Sequence, residues 1–303
     1  MKQYDCTIIG GGPAGLNAAL VLGRARRNIL LVDEGKPRNR VTHHSHGFLT
    51  RDGISPQEFR SIAQKEVLQY PTVQHLPDQV INSQATEGGF RLETAEGGSI
   101  FTKKIILSTG LTGNLPSIQN IEHFYGKSLF VCPFCDGWEL SDRPLVILGK
   151  GQRAFHLAKM VYNWSRDLVI CSNGEPELSE AQLSILSNRD IPVYGQPIKE
   201  LRGLDGDLSS VEFTDGQRLK RTGGFVDISW THASTLHLSL GCETDDTGAV
   251  RTDASGQTTV PGIFAAGDTA LFAPSQLIIA AGEGSKAAMG VVKDLVDEEF
   301  QYK

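Results

Sequence analysis

The residues best suited to chemistry in this chain are Cys132 and Cys135, two positions apart in Cys132-Pro133-Phe134-Cys135-Asp136-Gly137. Thiols at that spacing can close a small disulfide ring, and the first thiolate of such a pair is acidified by its neighbours and able to attack another disulfide. One Cys-x-x-Cys is also half of a structural zinc site, but zinc would want a second pair or histidines at ligand spacing. Cys6, Cys171 and Cys242 are isolated, and His43, His44 and His46 lie far upstream. The pair is read as a redox dithiol, with half a zinc site and inert packing as the alternatives, and no metal is expected. Asp136 directly follows the second cysteine, where a carboxyl can deliver or accept the proton that disulfide reduction requires. Taken alone, it reads as a turn residue ahead of Gly137.

Thiols that carry electrons need a partner that stores them, and the flanking segments are built for nucleotides. Tyr4 to Ile9 reads as a buried strand running into Gly10-Gly11-Gly12-Pro13-Ala14-Gly15. A helix pattern follows over Leu16 to Arg24, then a strand, Asn28 to Val32, ending at Asp33-Glu34. Strand, G-x-G-x-x-G turn, helix, strand and terminal acid form the whole dinucleotide fingerprint. Gly10 permits the tight turn, Gly12 lets a pyrophosphate approach, Gly15 lets the helix sit on the strand, and the helix N-terminus offers free N–H groups. Asp33 or Glu34 is expected to accept from the adenosine ribose. The polar loop that follows would lie over the cofactor, so Asn39 and His46 are candidate contacts, with His46, Gly47 and Phe48 expected to face the ring system. Ser55-Pro56-Gln57-Glu58 opens a helix through Glu66. Residues from Thr72 to Phe101 suggest a small antiparallel layer, and Lys104 to Leu107 a parallel core strand ending in Ser108-Thr109-Gly110.

A second dinucleotide unit begins after the cysteines. Leu145 to Leu148 is a strand, Gly149-Lys150-Gly151-Gln152-Arg153-Ala154 a turn, Phe155 to Trp164 a helix, and Leu168 to Ile170 the next strand. Gly149, Gly151 and Ala154 would make a nicotinamide site, NADPH or NADH. However, no acid closes the second strand for a ribose 2′-hydroxyl and no arginine follows it for a 2′-phosphate. The alternative is a degenerate module kept for its shape. The last third carries Ile263 to Gly267-Asp268, an acid at the end of a core strand. Ser275-Gln276-Leu277 then opens a helix whose small residues would lie close to a planar ligand.

The 303 residues allow two domains, and 40% hydrophobic with 21% charged residues describe a globular, ordered chain. A net charge of −6 gives a nucleic-acid partner no electrostatic support. No apolar run is long enough to span a bilayer and no signal peptide is recognised, so a cytoplasmic protein is expected.

Together these segments resemble the low-molecular-weight thioredoxin reductases, a family of flavoprotein disulfide reductases. The resemblance implies bound FAD, with Cys135 facing the flavin, Cys132 attacking the substrate disulfide and Asp136 as proton donor. It further implies that Gly110 and Gly267 line the cofactor, that Asp268 binds the ribityl chain, that Gln276 and Leu277 begin the helix at the flavin pyrimidine, and that Val80 borders the adenine. It implies a homodimer whose central domain rotates. The chain departs from the family where Cys171-Ser172-Asn173-Gly174-Glu175 replaces the His-Arg-Arg run and following arginine that read NADPH, and where Ser275 replaces an arginine. The loop from Asn39 to Asp52 looks more like an atypical branch that includes microbial dithiol oxidases.

The expected fold is α/β, with two Rossmann-like, three-layer ββα dinucleotide-binding domains, one inserted in the other. The FAD domain would comprise residues 1–113 and 242–303, and the central domain residues 114–241. The expected function is FAD-dependent thiol–disulfide exchange with thioredoxin or a small disulfide. The alternatives are a dithiol oxidase using oxygen and a non-catalytic, flavin-bound redox sensor.

Overall fold

Four apolar stretches dictate the first half of the structure. In a computed structural model describing residues 3–273 and 275–301, β1 (Gln3–Ile9) runs parallel to β2 (Ile29–Val32), with Cys6 opposite Ile29 and Ile9 opposite Val32. Outside β2 lies the parallel β3 (Val73–Leu76), and on the other side of β1 lies β6 (Ser99–Leu107), whose end pairs with the strand Ile263–Ala265. Buried on both faces, β2, Ile263–Ala265 and the ends of β1 and β6 are continuous apolar runs and not alternating ones, whereas the outer strand β3 is Val-Gln-His-Leu and only partly buried.

The expected antiparallel layer and core strand share one strand. The first half of β6 pairs antiparallel on one side with β5 (Gly89–Thr94), which pairs with β4 (Val80–Thr86), while on its other side β6 runs parallel to β1 from Phe101 to Leu107. Helix α1 (Pro13–Arg24) covers one face with Leu16, Ala18, Ala19 and Leu22, joined by Ala287, Ala288, Val291 and Leu295 of the long helix Leu277–Gln301. The opposite face receives Val80, Phe90, Leu92 and Ile100. Each of the larger buried side chains, leucine, isoleucine, valine or phenylalanine, contributes roughly 1.5–3 kcal/mol. Helix α2 (Pro56–Val67) starts where expected, with the Ser55 hydroxyl accepting from the Glu58 N–H at 3.1 Å.

The other unit repeats the plan. Its parallel sheet runs Val193–Tyr194, Leu168–Cys171, Leu145–Leu148, Gly223–Val226, Leu129–Phe130, between the helix Gly151–Val161 and an antiparallel layer of Ile198–Leu204, Asp207–Phe213 and Arg218–Lys220.

The chain leaves the first unit at Thr112/Gly113 and returns at Trp230/Thr231, so the second unit is an insertion. The return expected from the sequence, Gly241/Cys242, lies further along the chain. The intervening residues are held to the first unit by the Ala233 N–H donating to the Gly110 carbonyl at 3.0 Å and by Leu236 in its core. Residues Val41–His46 also cluster with the second unit. The outermost residues of the expected domain bounds lie outside those described.

Candidate active site

In the first unit, three strand ends converge into a cradle. Gly10 adopts φ +105°, and a Cβ there would lie 2.7 Å from the Ser108 carbonyl carbon, so only glycine fits. The Ser108 hydroxyl ties the cradle together, donating to the carbonyls of Ile9 at 3.0 Å and Gly10 at 2.9 Å. Gly110 donates its N–H to the Thr269 hydroxyl at 2.8 Å, which joins Ser108–Gly110 to the turn Gly267–Thr269. Gly15 abuts the Gly10 carbonyl, and Ala14 touches both Gly267 and Gly284. Gly12 differs from these, with no atom within 4 Å of where its Cβ would be, and no side chain caps α1, whose first helical residue is Pro13. An open approach to uncapped N–H groups is what a pyrophosphate requires. FAD therefore fits these residues.

The acids around the cradle are already engaged. Asp33 accepts from the Gly11 N–H at 2.9 Å through one oxygen and is ion-paired to Arg60 through the other, whereas Glu34 is exposed and paired with Lys36 at 2.8 Å. Asp268 accepts from the Ser275 hydroxyl at 2.6 Å and from Arg38 Nε at 2.9 Å, and the same guanidinium reaches Ser275 Oγ at 2.8 Å. Carboxylate oxygens carry spare lone pairs, so a sugar hydroxyl can still join each acid.

Arg38, Arg60 and Thr269 were not anticipated. Arg38 was discoverable, because a half-buried Asp268 followed by Ser275 in place of arginine leaves a carboxylate that must draw its cation from another element. Asn39 sits half-buried in the same single turn, Arg38–Val41.

The loop after that turn is divided between the two units. Gly47 sits beside the Gln276 amide, and Phe48 packs edge-on against Phe59 at 5.1 Å, while His46 belongs to the second unit and faces Glu139 at 3.5 Å. Phe48 thus serves α2, because an aromatic ring gains more by covering that helix than by standing in a polar loop. The side chain of Val80 is buried in the core, leaving only its backbone to border a ligand. Leu277 is half-buried at the first position of the long helix. Gly284 of that helix serves helix packing, since a Cβ there would strike the Ala14 carbonyl.

In the second unit, Cys132 and Cys135 form a disulfide, with Cα atoms 5.3 Å apart. Pro133 starts a one-turn helix, Pro133–Asp136, in which the Cys135 N–H bonds to the Cys132 carbonyl at 3.1 Å. Gly137 is required because the Trp164 ring lies against it, and Phe134 stands edge-on to the same ring at 5.5 Å. Burial, with the nearby Glu139 charge second, pushes Asp136 up to about 7. Burial also holds Cys171 up at about 12 and raises Cys6 and Cys242, so these remain thiols. No group of three or more potential metal ligands occurs among the described residues. Gly149, Gly151 and Ala154 form the second turn, with Gly149 against Asp227 and Ala154 fully buried.

Residues 4–284 match the family model described as pyridine nucleotide-disulphide oxidoreductase. The chain belongs to that family. A crystal structure from Bacillus anthracis, provisionally assigned as a thioredoxin reductase, superposes with a TM-score of 0.94 at 45% identity, covering 98% of this chain and 99% of that one. The thioredoxin reductase aclD of Aspergillus oryzae is 33% identical over 98% of each chain, and the thioredoxin reductase of Helicobacter pylori 27% identical over 97% of this chain and 99% of its own. The protein is thus an FAD-dependent oxidoreductase of the thioredoxin reductase type with two dinucleotide-binding domains. No helix among the described residues is long and apolar enough to cross a membrane.

Proposed function

We propose that Cys132 and Cys135 exchange an electron pair between FAD held in the first unit and an external disulfide, with Asp136 handling the proton. The observation that carries this reading is the closed Cys132–Cys135 pair one residue from a carboxyl that titrates near neutrality. In the reducing direction the Cys132 thiolate attacks a sulfur of the external disulfide, forming a mixed disulfide and releasing one thiolate. Cys135 then attacks Cys132, closing their bond and releasing the second thiolate, so two electrons have left the dithiol. Asp136 supplies a proton to a departing thiolate and recovers it from solvent. When bound, FAD supplies the two-electron store against which the pair is recycled.

Gly10, Gly12, Pro13, Ala14 and Gly15 would hold its pyrophosphate, Asp33 or Glu34 its adenosine ribose and Asp268 its ribityl chain. Gly110, Gly267, Gln276 and Leu277 would flank it. The relatives' names support a thioredoxin-like protein as the external disulfide, and the family resemblance supports a cytoplasmic homodimer. Replacing Cys135 with serine removes the resolving thiol, so incubation with an oxidised thioredoxin should accumulate a mixed disulfide on Cys132, seen as an added mass that dithiothreitol removes. Absence of any such adduct would sink the protein-partner reading.

A second reading, a dithiol oxidase acting on a small molecule with oxygen as acceptor, is favoured by the apolar surround of the pair. Phe134 is 62% and Trp138 81% exposed. Peroxide formed from a small dithiol without pyridine nucleotide would support it.

A further inference from the structure

The two glycine turns of this protein have the same strand–turn–helix plan but opposite surroundings. At the first, Gly12 faces open space. At the second, the groups that would greet a pyrophosphate are taken by the chain itself. The Gly151 N–H, at the start of the helix Gly151–Val161, donates to the Pro176 carbonyl at 2.8 Å. Lys150 is ion-paired with Glu177 at 2.5 Å. Arg153 is held by Asp227 at 3.2 Å. The Glu177 carboxylate also lies over Gly151, one oxygen 3.8 Å from where a Cβ would be.

The segment bearing Pro176 and Glu177 is pinned in place. Asn173 accepts from the Ile198 N–H at 2.7 Å, Ser172 donates to the Gly174 carbonyl at 2.6 Å, and Gly174 donates to the Gly195 carbonyl at 3.1 Å. Asn173 and Glu177 take φ of +52° and +54°, which bends this stretch back over the turn.

A helix N-terminus with a lysine beside it attracts one anion. Here that anion is a side chain. A dinucleotide would have to displace the Glu177 carboxylate and the Pro176 carbonyl, and would otherwise meet the charge of the first and the lone pairs of the second.

We propose that Glu177 closes the second dinucleotide-binding domain to pyridine nucleotides, making it the residue that denies this oxidoreductase NADPH and NADH. The inference rests on the dithiol–flavin reading only in treating this domain as the place where such a donor would bind.

The test is direct titration of the anaerobic holoprotein with NADPH and NADH, following nucleotide fluorescence, with dithiothreitol as a separate arm. Wild type should show no saturable binding below about 1 mM. Glu177→Gln, which frees Lys150 and removes the resident charge from a half-exposed position, should gain affinity by about tenfold or more. Micromolar binding by wild type would overturn the proposal. Failure of both proteins to bind would remove Glu177 as the determinant. Dithiothreitol should bleach the flavin absorbance in both proteins. If it does not, the dithiol–flavin reading fails, whatever the nucleotides do.

Discussion

A carboxylic acid that hands a proton to a thiolate near neutrality must still hold that proton there, and an ordinary aspartate does not. Asp136 meets the requirement because its surroundings strip away water and Glu139 adds like charge, together pushing it up to about 7. The sign of its contribution follows. As a donor it is competent when protonated, so the proton-transfer limb of external disulfide reduction should fall as pH rises through about 7, opposite in sign to the limb set by ionisation of the attacking thiol. Asp136→Asn should slow that step by about 10²- to 10³-fold and flatten the limb. Glu139→Gln removes one of the two causes, so stopped-flow pH profiles should show the limb moved to lower pH. A limb that stays in place would mean that Glu139 does not act on Asp136. The cysteine spacing and its adjacent acid were readable from the sequence. The raised affinity for a proton was not, because it depends on burial and on the fold of a single helical turn.

Between elements, the contact that most shapes the cradle is α1 against the long helix Leu277–Gln301. Asn17 donates its amide to the Ala281 carbonyl at 2.8 Å and to the Ser285 hydroxyl at 2.5 Å, and Gly284 sits where a Cβ would lie 2.8 Å from the Ala14 carbonyl carbon. A methyl group there has to push the first turn of α1 away from the glycine loop. Gly284→Ala should cost about 1–3 kcal/mol and loosen FAD retention. Two positions earlier on the same helix, Gly282 is exposed and has nothing within 4 Å, so Gly282→Ala should be neutral or stabilising by up to about 1 kcal/mol. Thermal melts and flavin content after gel filtration check the pair, and equal behaviour of the two variants would refute the packing argument. The glycines and alanines were visible in the sequence as a helix of small residues, but that pattern serves a flat ligand or a neighbouring helix equally well. Only the observed crossing assigned Gly284 to α1.

Across the whole molecule, two units with separate cores share one chain, and the cradle lies in only one of them. A ligand that binds the native state stabilises what it touches, by about 2.7 kcal/mol when present at a hundred times its dissociation constant. Adding FAD to the apoprotein should therefore slow hydrogen exchange around Gly10–Gly15, Ser108–Gly110 and Gly267–Thr269 while leaving the strand Leu145–Leu148 unchanged. Equal protection of both units would show that they open as one.

The order of strands, glycine turns and acids along the chain determined the α/β class and the presence of two dinucleotide units, and the spacing of Cys132 and Cys135 singled out the pair that closes as a disulfide. These follow from local periodicity and from residue types that have few other uses, whereas the nesting of one unit in the other came from the family resemblance. Tertiary structure alone decided how the charged groups are shared out. It brought Arg38 to Asp268 across more than two hundred residues, turned His46 toward Glu139 and Phe48 toward Phe59, and set Glu177 on Lys150. Long polar side chains choose partners by distance in space, and distances between remote residues exist only once the cores have formed.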